Sequence, residues 1–404
     1  MKVALIGNMN NNNFSMMRYL RDLGLDAYLL ITDDDGKKSN AHFCPENDTY
    51  FIESWRPYII EVPIGFKKSF LLQCSGQIKT LFQEYDILIA SGLIPAILKR
   101  CLRKVDIYYP YAVGIEYIED SSLLFLKNRF GKNIFLLAYK YLIAQFFRYK
   151  MIQGLYNSKV IVTSELFHTG KKLNDLGFNF TTLDIPMLYN REGIQLNAKN
   201  VFFESIRKKH DIVLFSHVSH TEFKNKFPIL ESLKKIIERT DKKVVLILVE
   251  YGNCIKNTKD QISRLGIEGH VLWIPPTSRI GIIELFRFVD FGFSEFDGML
   301  WGGSGWEFLA EGVPFFHFID YDHTEFTKKL GYPMPPIFNS KSPIEICEII
   351  LSFSDNIIEL KTISNEMKSW FDEYGGIGLA KKWKSLIEEI YFADKFQGSP
   401  LKKS

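Results

Sequence analysis

Short apolar runs alternate along this chain with stretches whose apolar residues recur every three or four positions. Runs at 1–7, 27–31, 86–91, 106–111 and 159–163 have the length and branched content of strands. Helical spacing fills most of the gaps, beginning with Phe14, Met17, Leu20 and Leu23 on one face. A second series opens at 211–216 and continues through a helix at 229–237, a strand at 244–249, a turn at Tyr251-Gly252-Asn253 and a strand at 271–274. Alternation of this kind predicts parallel sheets with helices on both faces, and two series predict two α/β units. Three helices are expected at 344–353, 357–371 and 379–391, the last two separated by Gly375 and Gly376, with a disordered tail at 396–404. No repeat of 20 to 50 residues is visible.

One stretch carries more chemistry than the rest. After an apolar run at 288–294, residues 301–314 read Trp-Gly-Gly-Ser-Gly-Trp-Glu-Phe-Leu-Ala-Glu-Gly-Val-Pro. Gly302, Gly303 and Gly305 can take positive φ and leave room for a ligand. A helix starting near Gly305 would aim its first amides, with Ser304 beside them, at a phosphate. Glu307, read as a first-turn residue, could accept hydrogen bonds from ribose hydroxyls. Gly312 and Pro314 end that helix, and an apolar strand resumes at 313–319. Taken alone, four such residues favour a plain connecting turn. Their place decides for a ligand, since open α/β sheets bind ligands beyond the carboxyl ends of their strands.

With Glu307, Ala310, Gly312 and Pro314 in register, the stretch resembles the Glu-Ala-x-Ala-x-Gly-x-Pro segment of glycosyltransferase family 4 and its GT-B relatives. The resemblance covers most of 155–392. It implies two Rossmann-like parallel-sheet domains facing across a cleft, an acceptor-binding domain at 1–195 and a nucleotide-sugar-binding domain at 205–375. The last helix, in 376–404, would cross back to the first domain. It also implies transfer from a nucleoside-diphosphate sugar to a lipid-linked glycan acceptor in bacterial surface-polysaccharide assembly, with retention of configuration. No metal or other cofactor is expected.

Such relatives place a Lys and an Arg on the donor diphosphate in the loop after 211–216. Lys224 suits the first role, with Lys226 as its rival; the Arg is absent, and Ser216, His217 and His220 stand nearby. Many relatives carry a second Glu eight residues before the ribose-binding one, where this chain has Met299; Glu295 and Asp297 are the acids close enough to replace it. An inverting enzyme would need a general base from the first domain, for which Glu116 is a candidate beside Glu119 and Asp120. The loop Asn10, Asn11, Asn12 and Asn13 lies where relatives face the diphosphate or the acceptor. Asn tolerates left-handed backbone and offers amide hydrogen bonds, and an asparagine run is also a mark of low complexity. Two alternatives stand beside the transferase: a GT-B sugar-nucleotide epimerase, and a catalytically silent binding protein.

Composition adds limits. At 404 residues, 46% hydrophobic and 24% charged, the chain is long enough for two full cores. A net charge of +3 is too mild to point to nucleic acid. Five scattered cysteines without metal-ligand spacing read as reduced thiols in a cytoplasmic protein. Between 122 and 156 lies a stretch rich in Leu, Phe, Tyr, Lys and Arg. Lys127, Arg129 and Lys132 precede the run 134–152, inside which Lys140, Arg148, Lys150 and Gln145 argue against a spanning helix. Partial burial within the domain and contact with an anionic membrane surface are the two readings left open.

Overall fold

The computed structural model describes residues 1–32, 44–62, 75–100, 103–111, 134–164, 168–192, 201–222, 224, 226–297, 302–354 and 356–397. Its first sheet contains β1 (Lys2–Ile6), β2 (Asp26–Thr32), β3 (Ile59–Val62), β4 (Ile87–Ala90), β5 (Val105–Tyr108), β6 (Ser158–Thr163) and β7 (Thr181–Thr182). They lie in the order β3-β2-β1-β4-β5-β6-β7, all pairs parallel, with Leu5 of β1 level with Leu29 and Ile89. The second sheet contains β8 (Ile212–Ser216), β9 (Val244–Val249), β10 (Val271–Ile274), β11 (Phe291–Phe293), β12 (Phe315–His317) and β13 (Phe338–Asn339). Its order, β10-β9-β8-β11-β12-β13, is again parallel throughout.

The central strands are buried on both faces, which is why they read as unbroken apolar runs rather than as alternating ones. In each sheet the strand order reverses once, at β1/β4 and at β8/β11, and at that switch point the helices leave on opposite faces. The expectation of two Rossmann-like sheets therefore holds, and the elements missed from sequence are β3, β7 and β13. Those strands are short and lie at or beside sheet edges, where little burial writes an apolar pattern.

The last helix, Ile377–Gln397, crosses back to the first sheet. Leu379, Trp383, Ile387 and Ile390 enter the same core as Val3, Leu5, Phe14 and Ile107. The Trp383 indole also donates to the Asp184 carbonyl at 2.6 Å.

The aromatic stretch forms the helix Ile134–Leu155. Ala144, Met151 and Leu155 bury one side of it against the first domain. Gly154 permits the close approach, because a Cβ there would lie 2.6 Å from the Ala96 nitrogen. Partial burial is thus what the structure has, yet the outward face is as apolar as the inward one. Phe135 is 89% and Leu142 68% exposed, with Tyr139, Phe146 and Tyr149 on the same side. Lys127, Arg129 and Lys132 lie outside the described residues, as does the tail beyond 397. Among the described residues no helix is long and apolar enough to cross a membrane.

Candidate donor site between the two domains

The glycine-rich turn does follow β11, but the helix begins earlier than the sequence suggests, spanning Gly303–Glu311 with Gly302 as its N-cap. Glu307 is therefore not in the first turn. The glycines also act differently from the expectation. None of Gly302, Gly303 and Gly305 has positive φ, and Gly302 sits in extended backbone at φ −79°. What Gly302 supplies is space: a Cβ there would stand 2.9 Å from Glu295 Oε1. Gly303 faces open space. Of the opening amides, that of Gly305 is spent on the Gly302 carbonyl at 3.1 Å, and the Ser304 hydroxyl meets Ser294 Oγ at 3.0 Å. An anion at this helix start would accordingly address the Gly303 and Ser304 amides.

Glu307 is buried and held from two sides. Arg279 Nε donates to Oε1 at 2.8 Å, and His217 Nε2 lies 2.6 Å from Oε2. Burial works against its charge, but the bond from His217 and the Arg279 guanidinium outweigh that and bring its pKa down to about 2. His217 occupies the first position beyond β8. Its ring stacks on Phe215 at 5.3 Å and meets Phe286 and Phe308 edge-on, which fixes its orientation. Its Nδ1 is buried without a hydrogen-bond partner.

Two lysines stand beside this group. Lys224 pairs with the carboxylate of Glu295, so these two sequence candidates neutralise each other, and the Glu295 amide donates to His317 Nδ1 at 3.2 Å. Lys226 is buried, donating to the Val218 carbonyl at 2.8 Å. Burial, helped by the charge of Lys224, lowers its pKa from 10.5 to about 7. Asp297 is exposed. Glu116, Glu119, Asp120 and Met299 lie outside the described residues. No group of three or more His, Cys, Asp or Glu among the described residues is placed to hold a metal ion.

Across from this group comes the asparagine loop of the first domain. Asn10 and Asn11 have φ of 54° and 57°, the left-handed backbone that Asn accepts more readily than most residues. Asn10 donates to the Tyr111 hydroxyl at 2.8 Å, Asn11 to the Cys44 carbonyl at 3.1 Å, and Asn13 to the Gly7 carbonyl at 2.7 Å. Asn12 is buried with neither side-chain polar atom bonded. The run is thus a built turn, braced from within by Asn13 and tied by Asn10 and Asn11 to neighbouring segments of the first domain. Arg279 closes the gap between the domains, reaching the Asn10 carbonyl at 3.3 Å and the carboxylate of Asp48. The other oxygen of Asp48 takes Arg18, whose guanidinium lies over Phe14 and Tyr189 and 3.3 Å from Glu192. Arg279, Asp48, Arg18 and Glu192 carry no local motif, and Arg279 and Asp48 are 231 positions apart.

No protein-family model matches the chain, and no curated protein matches it in sequence. Solved structures do. HepE from Anabaena, in complex with UDP and glucose, aligns over 96% of this chain and 100% of its own at 13% identity, with a TM-score of 0.60. This chain has the GT-B fold. Other GT-B neighbours agree. Sucrose-phosphate synthase from Thermosynechococcus elongatus covers 97% of this chain and 100% of its own at 10% identity and a TM-score of 0.58. WaaG, a glycosyltransferase involved in lipopolysaccharide biosynthesis, covers 95% and 99% at 13% identity and a TM-score of 0.53. A putative UDP-N-acetylglucosamine 2-epimerase from Listeria monocytogenes covers 97% of both chains at 12% identity and a TM-score of 0.56. In this chain the asparagine loop and the Arg279–Glu307–His217 group meet between the two sheets, where Arg279 reaches the Asn10 carbonyl.

Proposed function

We propose that this protein is a glycosyltransferase that moves a sugar from a nucleoside-diphosphate donor to a glycan acceptor. The observation that carries the reading is the convergence, beyond the carboxyl ends of β8 and β11, of an ionised buried Glu307, a glycine-opened helix start and two lysines. Glu307 accepts the ribose hydroxyls, the Gly303 and Ser304 amides take the diphosphate, and Lys224 turns from Glu295 to the phosphates. Stabilising the departing diphosphate in this way lowers the barrier without a strong nucleophile. Glu295, freed of its lysine, then lies beside the transferring sugar. Retention of configuration and independence from metal follow the family resemblance.

Calorimetry with UDP, GDP, ADP and dTDP tests the donor site. Glu307→Gln should weaken binding of the preferred nucleotide by about 1.5–3 kcal/mol for each charge-assisted hydrogen bond lost. Unchanged affinity in a variant that is folded at the temperature of the titration would remove Glu307 from the site. The Listeria neighbour motivates epimerisation as a second reading. Mass analysis of a reaction with a glycan acceptor separates the two, since an epimerase isomerises the donor sugar and glycosylates nothing.

The acceptor is proposed to be lipid-linked, assembled on the cytoplasmic face of a membrane. The exposed Phe135, Tyr139, Leu142 and Tyr149 support this, as aromatic side chains suit the headgroup level, and so does the absence of any acid in the helix Ile134–Leu155. Replacing Phe135, Tyr139 and Leu142 together by Ser should abolish flotation with anionic vesicles. If the unaltered protein does not float with them at low salt, a water-soluble acceptor replaces the lipid-linked one.

A further inference from the structure

We infer that the Asn12 carboxamide is a specificity-determining group that reads hydroxyls of a sugar ring, on the transferring sugar or on the acceptor, rather than a phosphate. The inference rests on the transferase reading above. Among the described residues, buried side-chain atoms without a hydrogen bond belong to Asn12, Arg18, Asp106 and His217. Arg18 and Asp106 stand in ion pairs, and His217 reaches Glu307 through its other nitrogen. Asn12 differs from all three, because it is 3% exposed and both ends of its carboxamide are without a bond.

Burying a carboxamide in this way is unfavourable, and an apolar side chain of similar size would fill the same volume without that penalty. The rest of the run is not built like this. Asn10, Asn11 and Asn13 each donate to a fixed acceptor in the first domain. Asn12 opens the helix Asn12–Asp22 beyond the carboxyl end of β1, at the switch point of the first sheet, where open α/β sheets take their ligands. It stands close in the chain to Asn10, whose carbonyl Arg279 reaches from the second domain, so a ligand that meets it lies between the two domains.

The chemistry of the group decides what that ligand offers. Phosphate oxygens accept hydrogen bonds and do not donate them, so a phosphate would satisfy Nδ2 and leave Oδ1 facing an anion. The backbone here is not offered to an anion either. The Asn11 amide is spent on the Asn8 carbonyl at 3.1 Å, the Asn12 amide on the Met9 carbonyl, and the Phe14 amide on Asn8 Oδ1 at 3.1 Å. Hydroxyls both donate and accept, so one hydroxyl or a neighbouring pair on a sugar ring satisfies Oδ1 and Nδ2 together. Selectivity follows, because a sugar lacking those hydroxyls would leave the enclosed carboxamide unpaired.

Asn12→Leu replaces the carboxamide by an apolar group of similar size, and Asn12→Ala removes it without risk of a clash. In the ligand-free protein Asn12→Leu should melt no lower than the unaltered chain, since no bond within the protein is lost. A clear fall in both variants would mean that the carboxamide has a structural partner, such as a fixed water, and would overturn the inference. Calorimetry with UDP, GDP, ADP and dTDP finds the preferred nucleotide, whose affinity should be the same in all three proteins. If the hydroxyls are the donor's, the glucose conjugate of that nucleotide should bind both variants about tenfold more weakly than the unaltered protein. If they are the acceptor's, that affinity holds, and kcat/KM for transfer to the methyl glycosides of glucose, galactose and N-acetylglucosamine should fall by about tenfold instead. No change in either measurement, including the case in which no methyl glycoside reacts, overturns the inference. If the unaltered protein binds none of the four nucleotides, the transferase reading fails instead, while the ligand-free melts still report whether the carboxamide has a partner within the protein.

Discussion

Lys226 gives the donor site a signature of its own. With burial bringing its pKa down to about 7, its side chain is mostly the neutral amine at pH 8 in the free protein. A diphosphate brought beside it favours the charged form and raises that pKa again, so binding should draw a proton from solvent. Calorimetry at pH 8 in buffers of different ionisation enthalpy should record net proton uptake that vanishes in Lys226→Met; uptake unaffected by that change would place the proton elsewhere. The two opening glycines should also part company. Gly302→Ala forces a methyl group against Glu295 and should disturb the Lys224 pair and lower the melting temperature. Gly303→Ala meets nothing in the protein, so it should melt normally and lose only nucleotide affinity.

At the scale of elements, the returning helix is what makes the first domain whole. Trp383 is fully buried, and Trp383→Ala should cost about 3–5 kcal/mol, measured by urea denaturation. A loss below about 1 kcal/mol would mean that this helix is only loosely docked. Its start was legible in sequence because Gly375 and Gly376 interrupt an otherwise helical pattern, its crossing only through the family resemblance, and the central strands because burial on both faces leaves unbroken apolar runs. The helix Ile134–Leu155 was legible as a helix but not in orientation, since apolar residues surround it and no face is marked as inward. In the site, Glu307 and the glycine turn could be found because they are neighbours in sequence. Arg279 and Asp48 could not, because a bridge between domains has no spacing to betray it. Lys224 and Glu295 were both found, yet nothing short of the fold reveals that they face each other.

For the molecule as a whole, the charge on Glu307 contributes to stability only where it is ionised in the folded state. Its folded pKa is depressed, so the contribution is complete above the unfolded value of about 4.5 and fades as pH falls toward about 2. Thermal melts of the unaltered protein and Glu307→Gln should therefore differ most near neutrality, by on the order of 3 kcal/mol, and converge in acid. A gap that stays constant from pH 6 to pH 3 would count against the charge as its source. The crossing helix has a different consequence, for the order in which the protein is made. One face of the first sheet is covered by residues near the chain's end, so Val3 and Leu5 emerge from the ribosome long before Trp383 exists. At roughly 5–20 residues per second, that face waits tens of seconds for its cover. During synthesis the earliest-born domain is the last to be finished, and until then its apolar side depends on chaperones or on transient contacts of the growing chain.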